Sequence, residues 1–196
     1  KKTEKSALDL FNLINKSGKT CLLVKADITK EQEVWGMMQR IRKVFGGVDV
    51  IVNNAGINQT ETFKNLNFKN FEKVLRTNLT GAMLVTKHSL PLLKKSASPR
   101  IIFVASINSF IGSPRRVSYV VSKSGILGLA KALAVELAPK VLVNTVVPGY
   151  IDTNMFWKFS NGPVKEKTRR VLLKRLGKPE EVAGAISFLC SKDSSY

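Results

Sequence analysis

Val48-Asp49-Val50-Ile51-Val52-Asn53-Asn54-Ala55-Gly56 is the stretch that decides the fold. Val48–Val52 is nearly continuous in β-branched side chains, the pattern of a strand covered on both faces. The turn that follows carries small residues, which let backbone approach a flat ligand closely. A doubly covered strand belongs in a parallel sheet, whose ligands sit outside the carboxyl ends of the strands.

The rest of the chain falls into place around that strand. Upstream, Ala7, Leu10, Phe11 and Ile14 recur at helical spacing, and Gly18 ends that helix. The apolar run Cys21–Ala26 reads as a strand. Thr29 with Gln32 reads as a capping box that opens a helix with an apolar face of Val34, Met37, Met38 and Ile41. Gly46-Gly47 stops it. Downstream, the pattern predicts one long helix from about Phe68 to Leu93 and a strand at Arg100–Ala105. A helix from Ser118 to about Ala138 and a strand at Val141–Val147 follow. Pro179-Glu180-Glu181 opens a last helix with Val182, Ile186 and Leu189 inward. The alternation predicts an α/β protein: a Rossmann-like, doubly wound parallel sheet in three layers, forming a single domain over 1–196. The irregular stretch from Tyr150 to about Lys167 follows a strand's carboxyl end and is a candidate lid.

Composition narrows the function classes. With 44% hydrophobic and 23% charged residues, the chain is an ordinary globular protein rather than a disordered one. No apolar run approaches the roughly 18 residues needed to span a bilayer, and Ala7–Asn12 is amphipathic rather than a signal-peptide core. The cytoplasm, or an organelle lumen, is the expected compartment. Cys21 and Cys190 have neither metal-ligand spacing nor a disulfide framework, and one histidine, His88, cannot build a zinc site. No metal is expected. Lys and Arg total 32 against 14 acids, a formal charge of +18, which attracts nucleotide phosphates, acidic carrier proteins or nucleic acid. The basic residues are scattered, without a basic heptad region, an RNA-stacking motif or a paired Cys/His finger, so nucleic acid is a minor hypothesis.

The chemistry is concentrated in four side chains. Tyr119 and Lys123 are four apart, so on a helix the phenol and the ammonium share a face. A fixed cation favours phenolate and lowers a tyrosine pKa, which lets the group exchange a proton near neutral pH. Ser106 lies thirteen residues earlier, at a strand end. Asn78 sits inside the long helical pattern, where its amide is able to distort the helix locally.

Asp27, Asn53-Asn54-Ala55-Gly56, Asn78, Ser106, Tyr119-x-x-x-Lys123, Pro148-Gly149 and Thr153, in this order, resemble the short-chain dehydrogenase/reductase family over nearly the whole chain. The resemblance implies that Tyr119 is the general acid in reduction and the base in oxidation. It implies that Lys123 lowers the Tyr119 pKa and holds the nicotinamide ribose. Ser106 would hydrogen-bond the substrate carbonyl oxygen, and Ser106, Asn108, Tyr119 and Tyr150 would touch substrate. For the coenzyme, NADP or NAD with NADP preferred, it implies contacts from Asp27, Ile28, Asn54, Ala55, Gly56, Tyr119, Lys123, Pro148, Gly149, Ile151 and Thr153. The substrate is then a small or carrier-bound ketone or secondary alcohol, and the assembly a homodimer or homotetramer paired through two long helices.

Within the family the chain looks most like 3-oxoacyl carrier-protein reductases, and its basic charge suits an acidic carrier by steering. The segment Ser113-Pro114-Arg115-Arg116-Val117-Ser118 departs from the one those reductases commonly carry, so sugar, steroid or small secondary-alcohol dehydrogenases stay open. A non-catalytic remnant that binds an acidic partner is the alternative of another class. The family's Gly-rich phosphate loop, its first two strands and its last strand have no counterpart in the sequence, so the sheet is expected to be incomplete at both ends. The expectation is a part of a longer protein, with Val48–Val52 an exposed edge strand. This chain alone should therefore melt in a broad transition at low temperature. Circular dichroism on heating checks this, and one sharp transition at high temperature would contradict it.

Overall fold

Three strands pair in parallel, β1 (Val50–Asn53), β2 (Arg100–Val104) and β3 (Leu142–Val146), in the order β1-β2-β3. The register sets Ile51 beside Ile101 and Ile101 beside Val143. These are the three strands expected at 48–52, 100–105 and 141–147, β1 shifted to start two residues later and end one later, β2 and β3 each shorter by a residue at one or both ends. In this computed structural model, residues 2–159, 166, 168–169 and 171–195 are described. β1 is an edge of the sheet, and Val52 is 41% exposed there.

The helices are α1 (Lys2–Lys16), α2 (Glu31–Phe45), α3 (Phe68–Leu75), α4 (Gly81–Leu93), α5 (Val117–Leu137), α6 (Asn154–Lys158) and α7 (Pro179–Cys190). Side chains alternate across each strand. Ile51, Ile101 and Phe103 therefore share one face, where Ala82 and Leu93 of α4 and Ile126 and Ala130 of α5 close over them as a core. Val52 and Val104 face the other way, toward a cleft that Val182 and Ile186 of α7 help to wall. Helix, sheet and helix make the three layers. Gly125 of α5 lets that helix approach closely: a Cβ there would lie 2.7 Å from Leu79.

Three local expectations need correction. Cys21–Ala26 forms no strand, because a ladder needs a neighbour within about 5 Å and none pairs with it among the described residues. Thr29 and Gln32 make no capping box. Lys30 occupies the N-cap without a side-chain capping bond, while Thr29 donates to Asp27 Oδ1 at 2.8 Å and Glu33 accepts from the Asp27 N–H at 2.7 Å. The long helix from Phe68 to Leu93 is interrupted by a π-helical turn at Arg76–Thr80. Of the candidate lid, α6 lies within the described residues, with the Thr153 side chain accepting from the Phe156 N–H at 3.2 Å. Residues 160–165 and 167 of that stretch lie outside them.

Phe103 is fully buried in the central strand. Phe103→Ala should cost about 3–5 kcal/mol of stability, read as a lower urea midpoint, because the surrounding sheet and helices close only partly over the cavity.

Candidate active site

The carboxyl ends of all three strands open into one cleft of about 690 Å³. The backbone turn after β1 brings Asn54, Ala55 and Gly56 to its wall, and the turn after β3 brings Pro148, Gly149, Ile151 and Thr153. β2 delivers Ser106 and Asn108, and the first turns of α5 deliver Tyr119 and Lys123. Tyr150 also lines the cleft. Twelve of the residues singled out from the sequence are thus together. Asp27, Ile28 and Asn78 do not line it. Ile28 packs on α4, where a Cβ on Gly81 would come within 2.8 Å of it, and Asp27 accepts from the Thr29 N–H at 3.0 Å.

Asn78 works from behind the wall. It is 1% exposed and centred in the π turn, the local distortion expected of an amide inside a helix. Its Oδ1 accepts from the Ile57 N–H at 2.8 Å, and its Nδ2 donates to the Ile57 carbonyl and to Ser122 Oγ, each at 2.9 Å. A π turn leaves backbone groups out of the usual ladder and is frequent at functional sites. Here it turns one buried side chain into a clamp between the β1 loop and α5. Ser122 completes the clamp by donating to the Tyr119 carbonyl at 2.8 Å. Reading the sequence missed Ser122, whose only signal is its place between Tyr119 and Lys123.

Lys123 is 5% exposed, and its Nζ donates to the Val104 carbonyl at 2.6 Å and lies 5.9 Å from the centre of the Tyr119 ring. Burial lowers its pKa to about 8. Burial pushes the Tyr119 phenol up, while the Ser106 side chain and the Arg116 guanidinium oppose that shift. The expectation that Lys123 lowers Tyr119 is corrected on this point: desolvation outweighs the neighbouring charges. Ser106 is 8% exposed, and its Oγ accepts from the Asn108 N–H at 3.2 Å. Arg116, which also went unassigned from sequence, lines the cleft one helical turn before Tyr119.

The donor set fits a nicotinamide coenzyme. A Cβ on Gly56 would lie 3.3 Å from Asn78 Oδ1 and 3.6 Å from Lys123 Nζ, so the turn leaves the lysine and the wall clear for a flat ligand only with glycine in that place. Gly149 has no atom within 4 Å of its Cβ direction, and Val52, Val104 and Ala105 give apolar walls. Among the described residues no group of His, Cys, Asp or Glu is arranged to hold a metal ion, and no helix is long and apolar enough to cross a membrane.

A parallel sheet with this cleft and this spacing of Ser, Tyr and Lys places the chain in a class. It belongs to the short-chain dehydrogenase/reductase family, whose members use nicotinamide coenzymes, and is an NAD(P)-dependent oxidoreductase. The family model described as enoyl-(acyl carrier protein) reductase matches residues 3–196. The 3-oxoacyl-(acyl-carrier-protein) reductase FabG of Aquifex aeolicus is 38% identical over 185 residues, covering 94% of this chain and 75% of that protein. Two solved structures superpose with TM-scores of 0.83 over 88% of this chain. One is Thermoplasma acidophilum aldohexose dehydrogenase, at 29% identity and 72% of its length. The other is a short-chain dehydrogenase/reductase from Brucella melitensis titled glucose/ribitol dehydrogenase, at 34% and 69%.

Because the folded pKa of Lys123 is depressed from 10.5 to about 8, the unfolded chain binds more protons between those values. The cost of burying the ammonium is complete below about pH 8 and is relieved as pH rises toward 10.5. Lys123→Met removes that cost. Its stability advantage over the natural chain should shrink by about 3 kcal/mol from pH 8 to 10.5, measured by urea unfolding.

Proposed function

We propose that the cleft reduces a ketone, or oxidises the corresponding secondary alcohol, with Tyr119 as the proton donor and acceptor. The observation that carries this reading is the convergence of Ser106, Tyr119 and Lys123 on one cleft wall, with Asn78 and Ser122 holding the backbone of α5 behind them. Bound in the cleft, the coenzyme supplies or accepts the hydride. Asn54-Ala55-Gly56 would support its adenosine half, Pro148-Gly149 and Thr153 would hold its nicotinamide carboxamide, and Lys123 would hold its ribose.

The chain's own residues then manage charge and protons. Negative charge develops on the substrate oxygen as hydride reaches carbon, and a preset donor there lowers the barrier. The Ser106 hydroxyl is that donor. Tyr119 gives its proton to the same oxygen. Its raised pKa keeps the phenol protonated at neutral pH, the form that reduction needs. Oxidation needs the phenolate and so gains as pH rises. Asn108 and Tyr150 complete the substrate end.

Among substrates, 3-oxoacyl groups are the class that the name of the Aquifex relative supports. The +18 charge would steer an anionic substrate, small or carried on an acidic protein, toward the cleft. NADP is the proposed coenzyme, its extra phosphate suited to the same positive charge. Exposed Phe68 and Met83 on α3 and α4, and Val121 and Val135 on α5, support pairing of two copies through these helices as a homodimer or homotetramer.

Tyr119→Phe tests the reading. It removes one hydroxyl from a half-buried ring, so the fold should persist by circular dichroism while coenzyme-dependent reduction falls by roughly a thousandfold or more. Unchanged turnover would overturn the assignment of Tyr119.

A further inference from the structure

Arg116 stands in the cleft wall with its charge unanswered. The chain holds its backbone from both sides: its N–H donates to the Ser113 carbonyl at 3.3 Å and its carbonyl accepts from the Val120 N–H at 2.9 Å. One residue earlier, Arg115 is in the left-handed region at φ 61°, where its carbonyl accepts from the Glu61 N–H at 2.8 Å. That turn ties the loop before α5 to the loop after β1. The guanidinium itself is almost uncommitted. Of its five N–H donors, one makes a bond among the described residues, at the long limit, from Nη2 to the Phe159 carbonyl at 3.4 Å. Among the described residues no carboxylate pairs with it.

The surroundings offer no acid either. Among the described residues Lys123 and Arg116 are the charged side chains of the cleft wall, and no Asp or Glu lines it. Of the described residues beyond the cleft, Lys158, Arg169 and Lys174 are basic, and Arg175 is already paired with Glu181 at 2.6 Å. Asp152 accepts from Trp157 Nε1 at 2.6 Å. An anion entering this cleft meets a positive field and a half-buried guanidinium with free donors, where a charge-assisted pair is worth more than in open water. Lys123 is turned to the Val104 carbonyl, which leaves Arg116 for the substrate.

We propose that Arg116 is a specificity-determining residue that grips a carboxylate on the substrate, so that the cleft selects free 3-oxo and 3-hydroxy acids over their neutral thioesters. The proposal rests on the reading of the cleft as a ketone reductase and names the group at C1 of its 3-oxoacyl substrates. In the reduction, C3 receives hydride from the coenzyme and its oxygen receives the Tyr119 proton, while the C1 carboxylate stays paired with Arg116. Arg116 lines the same cleft as Tyr119, three residues before it on the chain. A carboxylate held there would lie on the side of the reacting carbon, where the C1 group of a 3-oxo acid fits. A carrier-linked substrate has a neutral carbonyl in that place, which takes hydrogen bonds but leaves the charge unpaired.

The test compares 3-oxobutanoate with the neutral thioester 3-oxobutanoyl-N-acetylcysteamine, by calorimetric binding with and without NADP and NAD and, separately, by turnover. The natural chain should bind the acid at least tenfold more tightly, and added salt should narrow the difference. Arg116→Gln should weaken the acid by roughly tenfold or more and leave the thioester within about twofold. Arg116→Lys, which keeps the charge but loses the planar fork, should fall between. Equal or weaker binding of the acid by the natural chain overturns the proposal, with no variant needed. So does an acid preference that survives in Arg116→Gln. Acid-selective, Arg116-dependent binding without turnover upholds the proposal and defeats the reductase reading. Brisk turnover of the thioester with no acid preference does the reverse.

Discussion

The carboxamide of Asn78 is the constraint on which the rest of the site depends. It is buried inside a π turn, and its three hydrogen bonds join the Ile57 backbone to the Ser122 hydroxyl. A buried amide left unpaired costs roughly 1–3 kcal/mol per unmet group, so the arrangement that meets all three bonds is strongly preferred. That preference fixes the loop after β1 against α5. Ser122 passes the constraint to the Tyr119 carbonyl. The reactive phenol is therefore positioned by a side chain that never reaches the cleft.

Burial works on the same helix in the opposite sense for two neighbours. Desolvation disfavours the charged form of each, lowering Lys123 and raising Tyr119. The pair is not a charged couple held ready. It is a protonated phenol beside an ammonium that keeps most of its charge at neutral pH and rests on the Val104 carbonyl. Arg116 adds a second cation from the loop before α5, and among the described residues no acid lines the cleft beside it.

Where the sequence was legible, it was so for local reasons. Val50, Ile51 and Val52 run with nothing polar, so a strand was the natural reading, although Val52 is 41% exposed on the cleft face rather than covered. The i,i+4 spacing of Tyr119 and Lys123 needs only a helix to put both on one face, and α5 runs through both. Asn78 could be named because an amide inside an apolar helical pattern conflicts with the ladder. The conflict was resolved as a π turn rather than a cap. The failures were of another kind. Cys21–Ala26 has the apolar content of a strand, but pairing belongs to two segments and cannot be read from one. Thr29 and Gln32 have capping-box spacing, yet Asp27 competed for the same donors and won the Thr29 hydroxyl. Arg116 looked like a departure in a loop, because nothing local shows which way a loop arginine points.

By itself, then, the sequence determined the periodicities: which segments coil, which extend, and which reactive residues share a turn or a helical face. These follow from backbone geometry and side-chain alternation, which act over a few residues. The tertiary structure decided the rest. The Asn78–Ile57 and Asn78–Ser122 bonds span 21 and 44 residues, and the Lys123–Val104 bond spans 19. The approach of Arg116 to Tyr119, and the direction in which burial moves each pKa, depend on which distant segments exclude water around them. Long-range packing alone sets that, because desolvation is a property of the surroundings and not of the residue.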